Sequence, residues 1–189
     1  MKAARHLPTT ACSANHPVVD LDHYAPAYFT WIANKLSRGA SQSYLLAFNV
    51  GIETWRVLVL LAIEGAMSAQ KACGIIGMDK ASISRCFKNM QSKGFITVSL
   101  DPEDGRARIA TLTRLGRDMH DQIRGVALAR ERAFMSVLSV AERKILIDML
   151  HRLHENLPSV EAATKKHLSK HHLPAAKSKF AVAQKTRLT

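Results

Sequence analysis

Cysteine is scarce in this 189-residue chain, and the three that occur, Cys12, Cys73 and Cys86, are separated by 61 and 13 residues. This spacing fits neither a disulfide framework nor a zinc site, and the odd number indicates reduced thiols. The sequence also lacks CxxC and HExxH motifs and a glycine-rich phosphate loop. Because no paired carboxylates or base-activated nucleophile occur in a plausible context, we expect no enzyme, no cofactor and no metal site.

Long apolar runs are missing as well. The longest, Val57 to Ile63, is far too short to span a membrane, and the first eight residues lack the apolar core of a signal peptide. We therefore expect a cytoplasmic protein without a membrane partner. With only nine glycines and six prolines, the chain has few helix-breaking residues and is predicted to be mostly helical.

Acidic residues are few relative to basic ones. The 27 Lys and Arg residues outnumber the 15 Asp and Glu residues, giving a formal charge of +12. Residues 158–189 hold seven of the cations and one acid, a net +6, which leaves 12 − 6 = +6 for the rest of the chain. This excess predicts an anionic partner, nucleic acid before a membrane surface.

The amino-terminal half shows helical periodicity after an irregular start. Residues 1–22 mix Thr, Ser, Pro and His without a period and are predicted to form a flexible arm. Apolar and aromatic residues at helical spacing then predict one long helix, or two with a break near Gly39, over about 25–49. A second helix begins at Ile52 with Thr54 as its candidate cap, and it is apolar on nearly every side, which predicts a buried helix.

A helix-turn-helix pattern follows. We predict a short helix over about 69–76, a turn at Gly77, and a helix over 80–93 that Asp79 caps and whose apolar stripe includes Ile83. The opposite face of that helix has no carboxylate and consists of Lys80, Ser82, Ser84, Arg85, Lys88 and Asn89. Cations mixed with short hydrogen-bonding side chains suit phosphates and base edges in a major groove. For this helix alone, a solvated surface is an equally simple interpretation.

After Gly94 the apolar period changes from 3.6 to 2. Alternating runs at 95–100 and 109–113, joined by a loop with Pro, Asp and Gly, predict a β-hairpin. Arg106 and Arg108 lie near its tip, where they are placed to reach a minor groove or its phosphates.

The carboxyl-terminal half returns to helix. An apolar stripe from Leu115 to Leu138 predicts a helix of about 24 residues, roughly 36 Å long. Ser139 and Glu142 form a capping-box pattern before a last amphipathic helix that is expected to end before Pro158. Long helices over about 25–49 and 114–157 predict a dimer interface. Residues 158–189 are rich in Lys, His and Ala and are predicted to be a basic tail, disordered or weakly helical.

Taken in order, these elements resemble the MarR family of bacterial transcriptional regulators over about residues 24–157. The resemblance is carried by residues 76–85 (IGMDKASISR), 94–96 (GFI), 101–106 (DPEDGR) and 112–117 (LTRLGR). We therefore expect a mainly α fold with a small β-hairpin wing. The expected domain is 23–157, a winged helix-turn-helix over about 53–113 with amino- and carboxyl-terminal dimerisation helices.

The resemblance implies a homodimer that binds a palindromic operator in double-stranded DNA, with one recognition helix per subunit in the major groove. The family's Asp-x-Arg wing motif falls on Asp104 and Arg106, which implies that the arginine enters the minor groove and the aspartate positions it. Gly105 stands where the family often has a basic residue, and Arg108 is a candidate replacement. The implied function is that of a repressor released by a small aromatic or phenolic ligand, an acid or its CoA thioester.

The candidate residues for that ligand are Tyr28, Trp31, Arg38, Trp55 and Arg56. Aromatic walls with an arginine suit an aromatic carboxylate, whereas core packing of both tryptophans and a surface ion pair of Arg56 is the simpler interpretation. Two other functions stay open. One is a sequence-neutral architectural DNA-binding protein driven by charge; the other is a thiol-based redox regulator acting through Cys12, although no neighbouring group stabilises a thiolate there. His151 and His154 are more simply solvated than metal-binding.

Overall fold

Helices make up most of the chain that the computed structural model describes, namely residues 18–102, 105 and 107–171. The helices are α1 (Ala25–Phe48), α2 (Ile52–Glu64), α3 (Ala69–Ile76), α4 (Lys80–Ser92), α5 (Arg114–Phe134), α6 (Val140–Glu155) and α7 (Leu157–Lys170). The strands are β1 (Met67–Ser68), β2 (Ile96–Leu100) and β3 (Arg108–Leu112). The chain divides into two units after Glu131, within α5.

The first helix is continuous, so the alternative with a break near Gly39 is wrong. It buries Ala40 and Tyr44 but leaves a row of large apolar side chains near its start exposed, including Phe29. The helix ends at Phe48, and its C-cap, Asn49, adopts the left-handed conformation with φ 53° and donates its N–H to the Leu45 carbonyl at 3.0 Å.

Helix α2 lies in the core, as its apolar sequence predicts, with Val57, Leu58 and Leu61 almost fully buried. The expected cap at Thr54 is wrong. Gly51 is the N-cap, with an extended backbone, and Thr54 is a buried residue of the first turn. The sequence pattern favoured the hydroxyl residue because such residues lead at caps, but a glycine cap differs from them by only a few tenths of a kcal/mol.

The helix-turn-helix forms as predicted. Ser68 caps α3 by accepting a hydrogen bond from the Lys71 N–H, and Gly77 turns the chain with a φ of 73°. Helix α4 then ends in a double hydrogen-bonded motif around Gly94, whose φ is 72°. The Phe95 N–H donates to the Met90 carbonyl at 2.8 Å and the Gly94 N–H to the Gln91 carbonyl at 3.0 Å. This ending satisfies two carbonyls and turns the chain directly into the sheet.

The predicted hairpin is part of a three-stranded antiparallel sheet with the order β1-β3-β2. The hairpin register pairs Ile96 with Leu112 and Val98 with Ala110, while Met67 of β1 lies opposite Ala110 on the other side. The sequence did not predict β1 because a two-residue strand is too short to show alternation. The mainly α winged helix-turn-helix predicted from the sequence is confirmed, with one additional strand.

Nearly every helix and strand of the first unit contributes at least one side chain to its core. Its fully buried members include Leu58 from α2, Met67 from β1, Ile83 and Met90 from α4, and Ile123 from α5. The apolar stripe of α4 is therefore its inward face, as predicted. It follows that the polar residues between the stripe positions point away from the core.

In the second unit, α5 ends at Phe134, earlier than its apolar stripe predicted, and a short 3₁₀ turn, Met135–Val137, follows. The predicted capping box then starts α6. The Glu142 N–H donates to Ser139 Oγ at 3.3 Å, and the Ser139 N–H donates to Glu142 Oε2 at 2.7 Å.

Of the two alternatives predicted for the tail, disordered or weakly helical, the helical one describes residues 158–170, which lie in helix α7. Helix α6 ends at Glu155, before Pro158 as predicted, and Pro158 lies in the first turn of α7. Proline fits there because a first-turn N–H has no partner within the helix. Residues 172–189 lie outside the described part of the chain.

Within the described residues, no single helix is both long and apolar enough to cross a bilayer. Helices α1 and α2 meet the length and composition criteria only as a pair, and they are bent by 85° to each other.

Candidate nucleic-acid interface

The outer face of α4 presents the polar residues predicted from the sequence. Because Ile83, Phe87 and Met90 anchor the other face in the core, this side is held outward. Four of its predicted DNA-binding residues are exposed, namely Lys80, Arg85, Lys88 and Asn89. The other two, Ser82 and Ser84, are half-buried. In the described part of the chain, no carboxylate forms an ion pair with the three cations.

A chain of hydrogen bonds at the start of α4 positions Arg85. Asp79 caps the helix by accepting from the Ser82 N–H at 2.9 Å, and Ser82 Oγ donates to its other carboxylate oxygen at 2.6 Å. Arg85 Nη2 in turn donates to Ser82 Oγ at 2.9 Å. The hydroxyl of Ser82 is therefore occupied on both sides, so this residue holds the arginine rather than presenting a free group.

The charge of Asp79 is favoured by this arrangement. Hydrogen bonds from the Ser82 hydroxyl and then from its backbone N–H hold the pKa of the Asp79 carboxyl below its ordinary value of 3.8. An ionised carboxylate at a helix N-terminus also interacts favourably with the helix dipole. At neutral pH the cap and its link to Arg85 are therefore both intact.

At the loop end of the wing, the Asp101 N–H donates to the Ala107 carbonyl at 2.9 Å. Arg108 opens β3 opposite Leu100 and is exposed. Asp104 and Arg106, the predicted wing motif, lie outside the described residues, while Gly105 between them is exposed. Arg108 therefore lies on the same sheet as β2, the strand that follows directly from α4.

Thr113 joins the wing, the end of α4 and the start of α5. Its N–H donates to the Phe95 carbonyl at 3.0 Å, and its hydroxyl donates to the Gly94 carbonyl at 2.6 Å. The same hydroxyl accepts from the Gly116 N–H at 3.0 Å. The sequence contained this threonine within the family-like segment 112–117, but nothing in the pattern indicated that it fixes the wing against α4.

Lys93 provides a second such link. Its Nζ donates to the Asn49 carbonyl at 2.6 Å, which ties the end of α4 to the end of α1. The two residues are 44 positions apart, so no local sequence signal could have revealed the contact.

A cavity of about 390 Å³ lies between the first turn of α2 and the side of α4 that carries Ser82, Arg85, Cys86 and Asn89. Its lining residues are Gly51, Glu53, Thr54, Met78, Ser82, Arg85, Cys86 and Asn89. Three of these were predicted to bind DNA, whereas none belongs to the five predicted to bind a small ligand.

The five residues predicted to bind a small ligand make separate contacts. Tyr28 and Trp31 form an edge-to-face pair on α1, with ring centroids 5.5 Å apart. Trp55 instead stacks on His120 of α5 at 5.5 Å and meets Tyr44 edge to face at 6.0 Å.

The two arginines of that set also differ. Arg56 donates from Nη2 to Ser37 Oγ at 2.9 Å, in place of the surface ion pair considered above, and Arg38 is exposed. His120 was not anticipated as a partner of Trp55, because the two lie 65 positions apart in the sequence.

The described cysteines are free thiols with different surroundings. Cys73 is half-buried, whereas Cys86 is buried and its pKa is raised by burial, an effect that a hydrogen bond with Thr54 partly offsets. Cys12 lies outside the described residues. Among the residues that the structure does describe, no cluster of three or more His, Cys, Asp or Glu side chains is arranged to hold a metal ion.

Comparison with known proteins identifies similar chains. The family model described as MarR family matches residues 48–107. The chain is similar to the uncharacterized HTH-type transcriptional regulator YdgJ of Bacillus subtilis, with 30% identity over 87 residues, which are 46% of this chain and 53% of YdgJ. The matched region thus spans only about half the length of that relative.

Solved structures are similar over more of the chain. A MarR/EmrR family transcriptional regulator from Acinetobacter sp. ADP1 is 30% identical, with a TM-score of 0.69, and the match covers 75% of this chain and 99% of that one. A mutant MarR from E. coli in complex with operator DNA has the same fold, with 18% identity, a TM-score of 0.62, and coverage of 71% of this chain and 99% of that one.

Proposed function

Since this chain belongs to the MarR family of transcriptional regulators, we propose that it binds a palindromic operator in duplex DNA as a homodimer and represses transcription. The family membership confirms the resemblance inferred from the sequence. In this proposal α4 enters the major groove, with Lys80, Arg85, Lys88 and Asn89 contacting phosphates and base edges. Arg106 and Arg108 of the wing contact the adjacent minor groove and its backbone, and Asp104 positions Arg106.

The observation that carries the proposal is the outward face of α4. It combines three cations with amide and hydroxyl groups, it contains no acid, and its inward face is locked into the core. Arginine and asparagine are the side chains that pair best with guanine and adenine edges, respectively. The E. coli MarR–operator complex shows that a chain of this fold binds DNA.

The homodimer is supported by apolar surface that the single chain leaves uncovered. On α1, Tyr28, Phe29 and Ile32 are each more than 40% exposed. In the second unit, α6 buries none of its residues and leaves Ile145 and Leu153 exposed. Exposed apolar rows on long helices are typical of subunit interfaces. Size measurement by light scattering at several concentrations tests this part; a monomer at micromolar concentration would contradict it.

We propose that a small aromatic acid, free or as a thioester, releases the protein from DNA by binding near Trp31 or Trp55. Trp55 contacts His120 of α5 and Tyr44 of α1, so a ligand bound at Trp55 would act on both of these helices. The ligand must favour the conformation that does not bind DNA, by about 1–3 kcal/mol for a useful response.

Tryptophan fluorescence tests this effector, because the chain has only two tryptophans. In a Trp31→Phe variant the signal comes from Trp55 alone, and in a Trp55→Phe variant from Trp31 alone. A panel of aromatic acids and thioesters should quench one variant and weaken its DNA binding. If no compound does both, the effector proposal is wrong while the DNA-binding proposal stands.

Selection of duplexes from a random library tests the main proposal. We expect an enriched palindromic sequence whose binding survives competitor DNA as salt rises. A sequence-neutral architectural protein would enrich nothing and would lose binding to every duplex together, because its affinity would rest on phosphate contacts alone.

A further inference from the structure

Helix α7 follows the region, about residues 24–157, whose sequence motifs resemble the family. Every residue from Leu157 to Lys170 is exposed. At about 100° per residue, Leu157, Val160 and Leu168 fall within a sector of about 80°, while Lys165, Lys166 and Lys170 fall within about 140° on the opposite side. The helix therefore has an apolar face and a lysine face, which we define by these two sets of residues.

No ion pair offsets the positive charge of the lysine face among the described residues. Helix α7 contains a single acid, Glu161. The neighbouring α6 differs, since it has three cations and three acids, and its Arg152 lies 3.8 Å from Asp148. The basic character is thus a property of α7 and not of the second unit as a whole.

We propose that the lysine face of α7 binds phosphates of duplex DNA. This inference rests on the proposed function, and it assigns a second contact surface to the same partner. Lys165 and Lys170 are about 7.5 Å apart along the helix axis. Phosphates of one strand repeat about every 3.4 Å along the duplex axis, so flexible lysine side chains at this spacing can reach separate phosphates. Lysine contacts of this kind strengthen binding without reading sequence.

The charge of the lysine face and the composition of the apolar face favour DNA over two other partners, a second copy of this chain and a membrane surface. A second lysine face would repel the first, so this face does not pair with its own copy. Helices that lie on membranes carry large apolar faces, often with Trp or Phe, whereas the apolar face of α7 has only three aliphatic residues, interrupted by Thr164, and α7 contains no Trp, Tyr or Phe.

The test compares two charge-matched variants. In the first, Lys165, Lys166 and Lys170 are changed to Gln; in the control, Lys35, Lys144 and Arg152, which are exposed elsewhere, are changed to Gln. Binding of the full chain to a selected duplex and to a scrambled duplex of equal composition is measured across a salt series. A third variant, Lys80→Gln/Arg85→Gln/Lys88→Gln, reports on α4.

We expect the α7 variant to bind both duplexes about tenfold more weakly at low salt, with an unchanged ratio between them. The slope of log affinity against log salt should fall by about 0.9 for each lost phosphate contact, and it should fall less in the control. If the α7 variant keeps the wild-type slope of log affinity against log salt, the inference is wrong. Binding of anionic vesicles that is lost in this variant, while the slope for DNA stays constant, would point to a membrane surface instead and would also overturn it. Failure of the proposed function would give a different result: the α4 variant would keep the wild-type ratio of affinities for the selected and the scrambled duplex.

Discussion

Gly116 lies so close to Phe95 that a Cβ atom at position 116 would overlap the Phe95 carbonyl oxygen. The start of α5 is thereby packed directly on the backbone that leaves α4. The Gly116 N–H also donates to Thr113 Oγ1, so the close approach and the hydrogen bonds of Thr113 form one junction. This junction sets how the outer face of α4 is presented relative to the wing.

Substitution of Gly116 by Ala should destabilise the protein, by about 1–3 kcal/mol, because the added methyl group must displace backbone. The matched control is Gly125→Ala, also within α5, where a Cβ would have no atom within 4 Å. That change should stabilise by about 0.5–1 kcal/mol through helix propensity. Urea unfolding of both variants measures the difference; equal effects would show that the junction is not tightly packed.

The Thr113 hydroxyl should matter through its hydrogen bonds and not through its shape. Thr113→Val keeps the volume but removes the donor to Gly94 and the acceptor for Gly116, at a cost of about 1–2 kcal/mol. Thr113→Ser keeps the hydroxyl and should lose less. If valine and serine are equally tolerated in denaturant unfolding, the hydroxyl does not hold the wing.

The cap at Asp79 predicts a specific response to acid. Because its pKa is lower in the folded protein than its ordinary 3.8, its stabilising effect is complete above that value and is lost as pH falls through the folded pKa. Thermal unfolding of wild type and Asp79→Asn between roughly pH 6 and pH 3 should show a stability difference that shrinks on acidification. Asparagine still caps the helix, so this pair isolates the charge.

Cys86 should be a poor redox sensor, since burial raises its pKa and keeps it protonated at neutral pH. In a Cys12→Ser/Cys73→Ser variant, a thiol reagent should modify the native protein at least about tenfold more slowly than the unfolded protein. Peroxide should leave the DNA affinity of this variant unchanged. Rapid modification of the native protein, or loss of DNA binding with peroxide, would show that Cys86 is accessible and reactive.

Features of the fold that depend on local chemistry were predictable from the sequence. The cap at Asp79, the turn at Gly77, the capping box of Ser139 and the apolar stripe of α4 each depend on residues within a few positions of one another. Helical spacing and cap residues carry that information directly. The outward face of α4 followed from the same pattern.

Long-range contacts were not predictable in this way. The link from Lys93 to the Asn49 carbonyl and the stacking of Trp55 on His120 join residues far apart in sequence, and no period reports them. The start and extent of α7 were not predicted, for another reason. Its lysine-rich composition resembles that of a disordered tail, and proline at its first turn was taken as a stop and not as a start.

The ratio of affinities for a selected duplex and its scrambled counterpart tests the central claim that α4 reads DNA sequence. We predict that Lys80→Gln/Arg85→Gln/Lys88→Gln lowers this ratio by about 100-fold, since each good base contact contributes about 1–3 kcal/mol of discrimination. The control Lys35→Gln/Lys144→Gln/Arg152→Gln should keep the wild-type ratio. An α4 variant that keeps the ratio, with affinity reduced equally for both duplexes, would contradict the claim.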